Sequence, residues 1–148
     1  MKPLIVLITS FTATALISRL FASDWNLTFA GNLAMCLMLF LTASGHFLFT
    51  KGMTMMLPPF MPYRTLLVYF TGVAEVALGV GLLFHSSRHL AGILLIVMFA
   101  FLLPANIYAA SKRLNYQKAD HTGAGLSYLW FRVPLQGLFF GWLIYFSL

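Results

Sequence analysis

The sequence has very few charged residues. Only 8% of its 148 residues are charged and 61% are hydrophobic, whereas about 25% of the residues of a soluble domain carry a charge. So few charged side chains cannot cover a water-facing surface. The composition therefore predicts an integral membrane protein and excludes a soluble enzyme or a soluble binding domain.

Acidic residues and cysteine are also scarce. Three acids stand against nine lysines and arginines, which gives a net charge of +6. The basic residues are spread over several connections, so they predict attraction to anionic lipid headgroups and no binding of nucleic acid. The single cysteine, Cys36, excludes an intrachain disulfide and a zinc cluster of the cysteine type. We interpret it as a small packing residue.

Five apolar stretches are long enough to cross a membrane of about 30 Å at about 1.5 Å per residue. They cover residues 3–21, 29–50, 65–84, 90–111 and 129–148. Together they predict one all-α domain over residues 1–148, a polytopic bundle of five transmembrane helices. The first stretch also fits a cleaved signal peptide with Lys2 as its basic start, although Arg19 lies late in the segment.

The distribution of basic residues predicts the orientation of the chain. Five spans place seven basic residues on one side and two, Arg19 and Arg88, on the other. The seven are Lys2, Lys51, Arg64, Lys112, Arg113, Lys118 and Arg132. Since basic residues accumulate in cytoplasmic loops, the N-terminus is predicted to be cytoplasmic and the C-terminus external.

Two longer connections lie on the predicted cytoplasmic side. Residues 51–64 combine four methionines with three prolines, which prevent a regular helix. This segment is predicted either to lie in the membrane interface or to fold over the end of the bundle as a lid. Residues 112–128, with Gly123 and Gly125, are predicted to be flexible and exposed to water.

The stretch "TGVAEVALG" places Glu75 in the middle of the third span. A charge there costs about 2.5–3.5 kcal/mol on insertion scales. Gly72, Glu75 and Gly79 share one helix face. Because glycine lets a neighbouring helix approach closely, this face is predicted to look into the bundle.

Polar residues of three other spans lie in the same half of the membrane. These are His46, Asn106, Arg132 and Gln136. Polar groups in hydrocarbon require partners, so the Glu75 carboxylate is predicted to reach at least one of these four. Arg132 is long enough to pair with Glu75 and neutralise it. The cluster is predicted to be either a structural clasp or the polar floor of a ligand pocket.

If the cluster is a site, its residue types suggest their roles. His46 and Glu75 are the catalytic candidates because both can transfer a proton. Asn106, Arg132 and Gln136 are candidates for binding the polar group of a mostly apolar ligand. The candidates for the apolar walls are Phe47, Phe49, Tyr108, Trp130 and Phe139.

Two further patterns are considered. His85 and His89 are four residues apart, which suits a metal on a helix, but no third ligand lies nearby. A metal is therefore not expected there. Haem is not expected either, because two histidine ligands would have to lie at one membrane depth and His46 and His85 lie at opposite faces. Gly137 and Gly141 form a GxxxG motif, which predicts packing inside the bundle or, alternatively, a homodimer contact.

The segments "SGHFLF", "MLPPFMPYRTLLVYFTGVAEVALGVGLL" and "FLLPANIYAA" occur in this order. Together they resemble the DoxX-like membrane proteins of bacteria over roughly residues 29–148. The resemblance implies a compact four-helix core in the bacterial inner membrane, to which this chain adds an N-terminal span. His46, Glu75 and Asn106 match polar motif positions of that family.

The resemblance implies only a broad activity. The family takes its name from a thiosulfate:quinone oxidoreductase, and a similar bundle occurs in the EXPERA group, which binds or isomerises sterols with buried acids. The leading hypothesis is a binding protein or accessory redox subunit that accepts a quinone or a similar small apolar ligand from the lipid. The alternatives are a proton-transfer enzyme acting on a lipid-like substrate and a structural subunit of a membrane complex.

Overall fold

The structure is a computed structural model that describes residues 2–148. Its helices are α1 (Lys2–Ala22), α2 (Leu27–Leu48), α3 (Thr50–Met55), α4 (Arg64–Gly81), α5 (Arg88–Ser111) and α6 (Leu129–Ser147), with a 3₁₀ turn at Gly125–Tyr128 before α6. Five of the helices are long and apolar enough to cross a membrane. This confirms the all-α prediction of a multi-pass membrane protein.

The helix ends follow from local sequence. The Asn26 side chain accepts a hydrogen bond from the backbone N–H of Phe29 at 3.1 Å and so caps the start of α2. The prolines at 58, 59 and 62 separate α3 from α4. Helix α4 begins after Tyr63, whose backbone is in the left-handed conformation. Pro104 and Pro134 lie inside α5 and α6, as neighbouring helices in a membrane bundle allow.

Helix α2 is the centre of the bundle, packing against α1, α4 and α6. Met35 and Leu39 on α2 are fully buried, as is Leu7 of α1. The ring of Phe11 meets the edge of Trp142 on α6 at a centroid distance of 5.1 Å. The first apolar stretch therefore packs as a helix of the bundle, and cleavage after it would remove these contacts.

The glycine face of α4 looks inward, as predicted. Gly72, Glu75 and Gly79 are all buried. A Cβ atom added to Gly72 would lie 2.8 Å from the Cβ of His46, so only glycine permits this approach of α4 to α2. Cys36 on the facing side of α2 is 1% exposed, consistent with a packing role.

The GxxxG motif of α6 behaves differently. Gly137 and Gly141 are exposed, and an added Cβ at either position would have no atom within 4 Å. The prediction that this motif packs inside the bundle is wrong, because α6 turns its other face, with Leu135, Phe139 and Leu143, toward the core. A homodimer contact through these glycines stays a prediction.

The two long connections pack on each other. Gly52 of α3 lies directly against the backbone of Tyr116, whose ring meets Phe49 at 6.0 Å. The backbone N–H of Asn115 donates to the Asp120 carbonyl at 2.7 Å, and that of Gly123 donates to the Arg113 carbonyl at 2.7 Å. Residues 112–124 thus form a hydrogen-bonded hairpin, where the sequence predicted a flexible loop.

The hairpin also carries an acid. The side chain and backbone N–H of Thr122 both donate to the Asp120 carboxylate, at 2.5 and 3.1 Å. These hydrogen bonds hold the pKa of Asp120 below its usual range. The Asp120 carboxylate therefore stabilises the hairpin through these hydrogen bonds.

Candidate functional site

A cavity of about 420 Å³ opens within the bundle, at the end where α2 stops and α4 and α6 begin. Its apolar wall includes Met38, Leu102, Phe99 and Phe139. Met53, Met56 and Leu57 from the first connection and Tyr116 from the hairpin also line it. The methionine-rich connection therefore packs over this end of the bundle. Of the two arrangements that the sequence allowed for this segment, the structure has the lid.

Polar side chains of α2, α4, α5 and α6 also line this cavity. They include Thr42, His46, Thr71, Glu75, Asn106, Arg132 and Gln136. The predicted convergence of His46, Glu75, Asn106, Arg132 and Gln136 on one space is thus observed. Because they line a cavity with apolar walls, they can meet a ligand as well as one another.

Glu75 is 4% exposed and lies between two partners on α2. The Thr42 hydroxyl donates to its Oε2 at 2.9 Å, and Nε2 of His46 lies 3.5 Å from its Oε1. The predicted contact between Glu75 and the polar cluster is confirmed, through His46. Thr42 was missed, although it lies four residues before His46 and hence on the same helix face.

The other nitrogen of His46 fixes the state of its ring. Nδ1 lies 2.9 Å from the Val68 carbonyl and 3.1 Å from the Thr71 hydroxyl. A carbonyl only accepts hydrogen bonds, so Nδ1 carries a proton. Nε2 therefore faces the Glu75 carboxylate.

Arg132 does not pair with Glu75, so the predicted ion pair is wrong. Among residues 2–148, His46–Glu75 is the only ion pair. The guanidinium of Arg132 donates instead to Oδ1 of Asn106 at 3.3 Å. The reason lies in the helix arrangement, because α6 packs on α5 and α2, whereas α4 packs mainly on α2.

Gln136 lies one helical turn beyond Arg132 and is buried. Its side-chain amide donates to the Phe99 carbonyl at 2.9 Å, which ties α6 to α5. Gln136 therefore has a structural partner, although it also lines the cavity.

The aromatic candidates separate into two groups. Phe49 and Phe139 line the cavity. Trp130 is 86% exposed on the outside of α6, and Tyr108 lies beside Lys112, whose Nζ is 6.0 Å from the ring centroid. Neither Tyr108 nor Trp130 is a cavity residue, so their assignment to ligand binding is not supported. Phe47 stacks on Tyr69 at the bundle surface.

The opposite end of the bundle has its own polar contacts. Ser147 donates to Oδ1 of Asn32 at 2.6 Å, and the Asn32 amide donates to the Phe146 carbonyl at 2.8 Å. His85 and His89 lie at this end beside Arg88. Throughout the described part of the chain, no three His, Cys, Asp or Glu side chains are grouped to hold a metal ion.

Comparison with known proteins identifies a family without assigning an activity. No curated protein and no solved structure matches the chain. A family model described as a domain of unknown function, DUF8561, matches residues 35–147, which include most of α2, all of α3–α6 and every polar side chain named above for the cavity. The chain therefore belongs to the DUF8561 family.

Proposed function

We propose that this protein binds one small lipid-like molecule in the cavity between its helices. The observation that carries the proposal is the combination of apolar walls and converging polar groups between helices that are long and apolar enough to cross a membrane. A cavity of about 420 Å³ lies within the range of small-molecule sites, roughly 300–1,000 Å³. Ionisable residues inside a membrane are costly and generally mark function.

The first ligand class to consider is a quinone or a similar apolar molecule with oxygen atoms in its head. Arg132 and Asn106 supply N–H donors for such oxygens, while Met38, Leu102 and Phe139 supply apolar contact. The resemblance to DoxX-like proteins supports this class and an accessory role beside redox subunits in the membrane. Phe49 and Thr71 complete the proposed lining near His46.

The second candidate function is proton transfer on a lipid-like substrate. The observation that favours it is the His46–Glu75 pair, since an imidazole and a carboxylate side by side at the cavity wall can exchange a proton with a substrate. A structural role as a membrane subunit is the third candidate. It is supported by the exposed Gly137 and Gly141, since no atom of residues 2–148 would lie within 4 Å of a Cβ added at either position.

Filling the cavity tests the binding function. Ala105 lines the cavity, and Ala100 on the same helix faces outward. We expect Ala105→Trp to lose the lipid-like molecule that co-purifies with the wild-type protein, because the indole occupies the site. Ala100→Trp should retain it. Native mass spectrometry measures the retained mass, and equal retention by both variants, or an empty wild-type protein, contradicts the proposal.

We also propose that the protein resides in the bacterial inner membrane with its N-terminus in the cytoplasm. The support is the excess of basic residues at the end of the bundle that holds the cavity. A cysteine placed at residue 148 in a Cys36→Ser background should react with an impermeant maleimide added to intact cells. Labelling only after lysis contradicts this orientation.

A further inference from the structure

The charges around the cavity do not balance. The chain has only three acids, Asp24, Glu75 and Asp120, and the structure gives the position of each. Asp24 lies in the connection between α1 and α2, at the far end of the bundle. Asp120 accepts hydrogen bonds from Thr122 within the hairpin. Glu75 is the only acid of the three that lines the cavity.

Two cations line the same cavity. They are Arg132 at the start of α6 and Lys2 at the start of α1. Neither lies within 4.0 Å of a carboxylate, since the only ion pair among the described residues joins His46 and Glu75. Even with Glu75 as a carboxylate, two cations against one acid leave a positive excess in the lining.

The Arg132 guanidinium also has unused hydrogen-bonding capacity. It has five N–H donors, and the side-chain hydrogen bonds of residues 2–148 include one from this group, to Asn106. Asn106 contributes an acceptor oxygen to that contact and no charge. A planar guanidinium with free donors is suited to a carboxylate or phosphate, which it binds through two parallel hydrogen bonds.

We propose that the ligand is an acidic amphiphile whose head is a carboxylate or a phosphate ester. The head binds Arg132, Lys2 adds a second positive charge to the same lining, and the apolar part lies against Met38, Leu102 and Phe139. This inference rests on the proposed binding function and narrows its ligand class. A neutral quinone would leave the part-buried Arg132 guanidinium without an anion beside it, and a partly desolvated charge is stabilised by pairing.

The test compares ligands that differ only in charge. The purified protein is placed in phosphatidylcholine nanodiscs at alkaline pH, and displacement of a fluorescent fatty acid by palmitate, methyl palmitate or decylubiquinone is measured. Palmitate should bind about ten-fold or more tightly than its methyl ester, because charge-assisted hydrogen bonds are the strong ones. This comparison uses wild-type protein and so does not depend on the folding of a variant.

A pair of variants then locates the head. Arg132→Gln should remove the preference for palmitate over its ester. Arg64→Gln, also at the basic end of the bundle but outside the cavity lining, should keep it. Equal binding of acid, ester and quinone, with no effect of Arg132→Gln, overturns the inference and leaves the binding function intact. Failure of every probe to bind overturns both.

The acidic head can come from a free single-chain acid or from a membrane phospholipid. Mass spectrometry of lipids extracted from protein purified from its native membrane distinguishes these sources. Enrichment of a single-chain carboxylic acid or of a phosphate-bearing lipid supports the inference and identifies the source. Enrichment of neutral lipids alone contradicts it.

Discussion

Replacing His46 with leucine should destabilise the protein by about 3–5 kcal/mol, the usual cost of removing one partner of a buried pair. The change leaves Glu75 with one remaining side-chain partner, Thr42, in a site that is 4% exposed. It also leaves the Val68 carbonyl without the Nδ1 donor. The free energy of unfolding can be measured by titration with sodium dodecyl sulfate in mixed micelles, with helicity as the signal.

A double variant separates the pair from general packing. His46→Leu combined with Glu75→Leu should recover part of the lost stability, because it removes the unpaired acid together with its partner. Phe47→Leu is the matched control, since Phe47 is the next residue of α2 and is 47% exposed. Its effect should stay near 0.5 kcal/mol. If His46→Leu resembles Phe47→Leu, or if the double variant is the least stable, the pair does not stabilise the bundle.

The partner of Arg132 differs from the one that the sequence suggested, since its guanidinium donates to Asn106 and not to Glu75. Sequence reasoning paired Arg132 with Glu75, because both lie in one half of the membrane and arginine has a long reach. Depth along a helix restricts which residues can meet but does not select among them. That choice depends on which helices are neighbours, and α2 supplies both side-chain partners of Glu75.

Other features were predictable because they depend on one segment at a time. The five spans follow from hydrophobic length, and the inward face of Gly72, Glu75 and Gly79 follows from helical spacing. The direction of the Gly137–Gly141 face was not predictable in this way. A glycine pair permits close contact on either side of a helix, and the neighbouring Leu135, Phe139 and Leu143 determine which side enters the core.

The segment that covers the cavity could not be predicted from the sequence either, because its position depends on residues that are far apart in the chain. The composition of residues 51–64 allowed either an interfacial segment or a lid. The choice depends on a contact between Gly52 and Tyr116, which are far apart in the sequence. The short helix α3, the residue after it and the hairpin also contribute Met53, Met56 and Tyr116 to the cavity, and no long periodic pattern marks such positions.

Gly52→Ala should therefore separate α3 from the hairpin of residues 112–124. A Cβ atom on Gly52 would overlap the carbonyl group of Tyr116, and backbone atoms cannot move aside as the end of a flexible side chain can. We expect trypsin to cut the hairpin at Lys112, Arg113 or Lys118 at least about ten-fold faster, because cleavage follows the population of the open form. A bound ligand should also exchange faster, since Met53 of α3 and Tyr116 both line the cavity.

Gly141→Ala is the matched control, because an added Cβ there has no atom within 4 Å. It should leave the rate of trypsin cleavage unchanged and can stabilise α6 by about 0.5–1 kcal/mol, the usual difference between glycine and alanine within a helix. Similar cleavage rates for the two variants would mean that the hairpin keeps its place without the Gly52 contact. Faster cleavage with an unchanged rate of ligand exchange would show that α3 and the hairpin do not close the cavity.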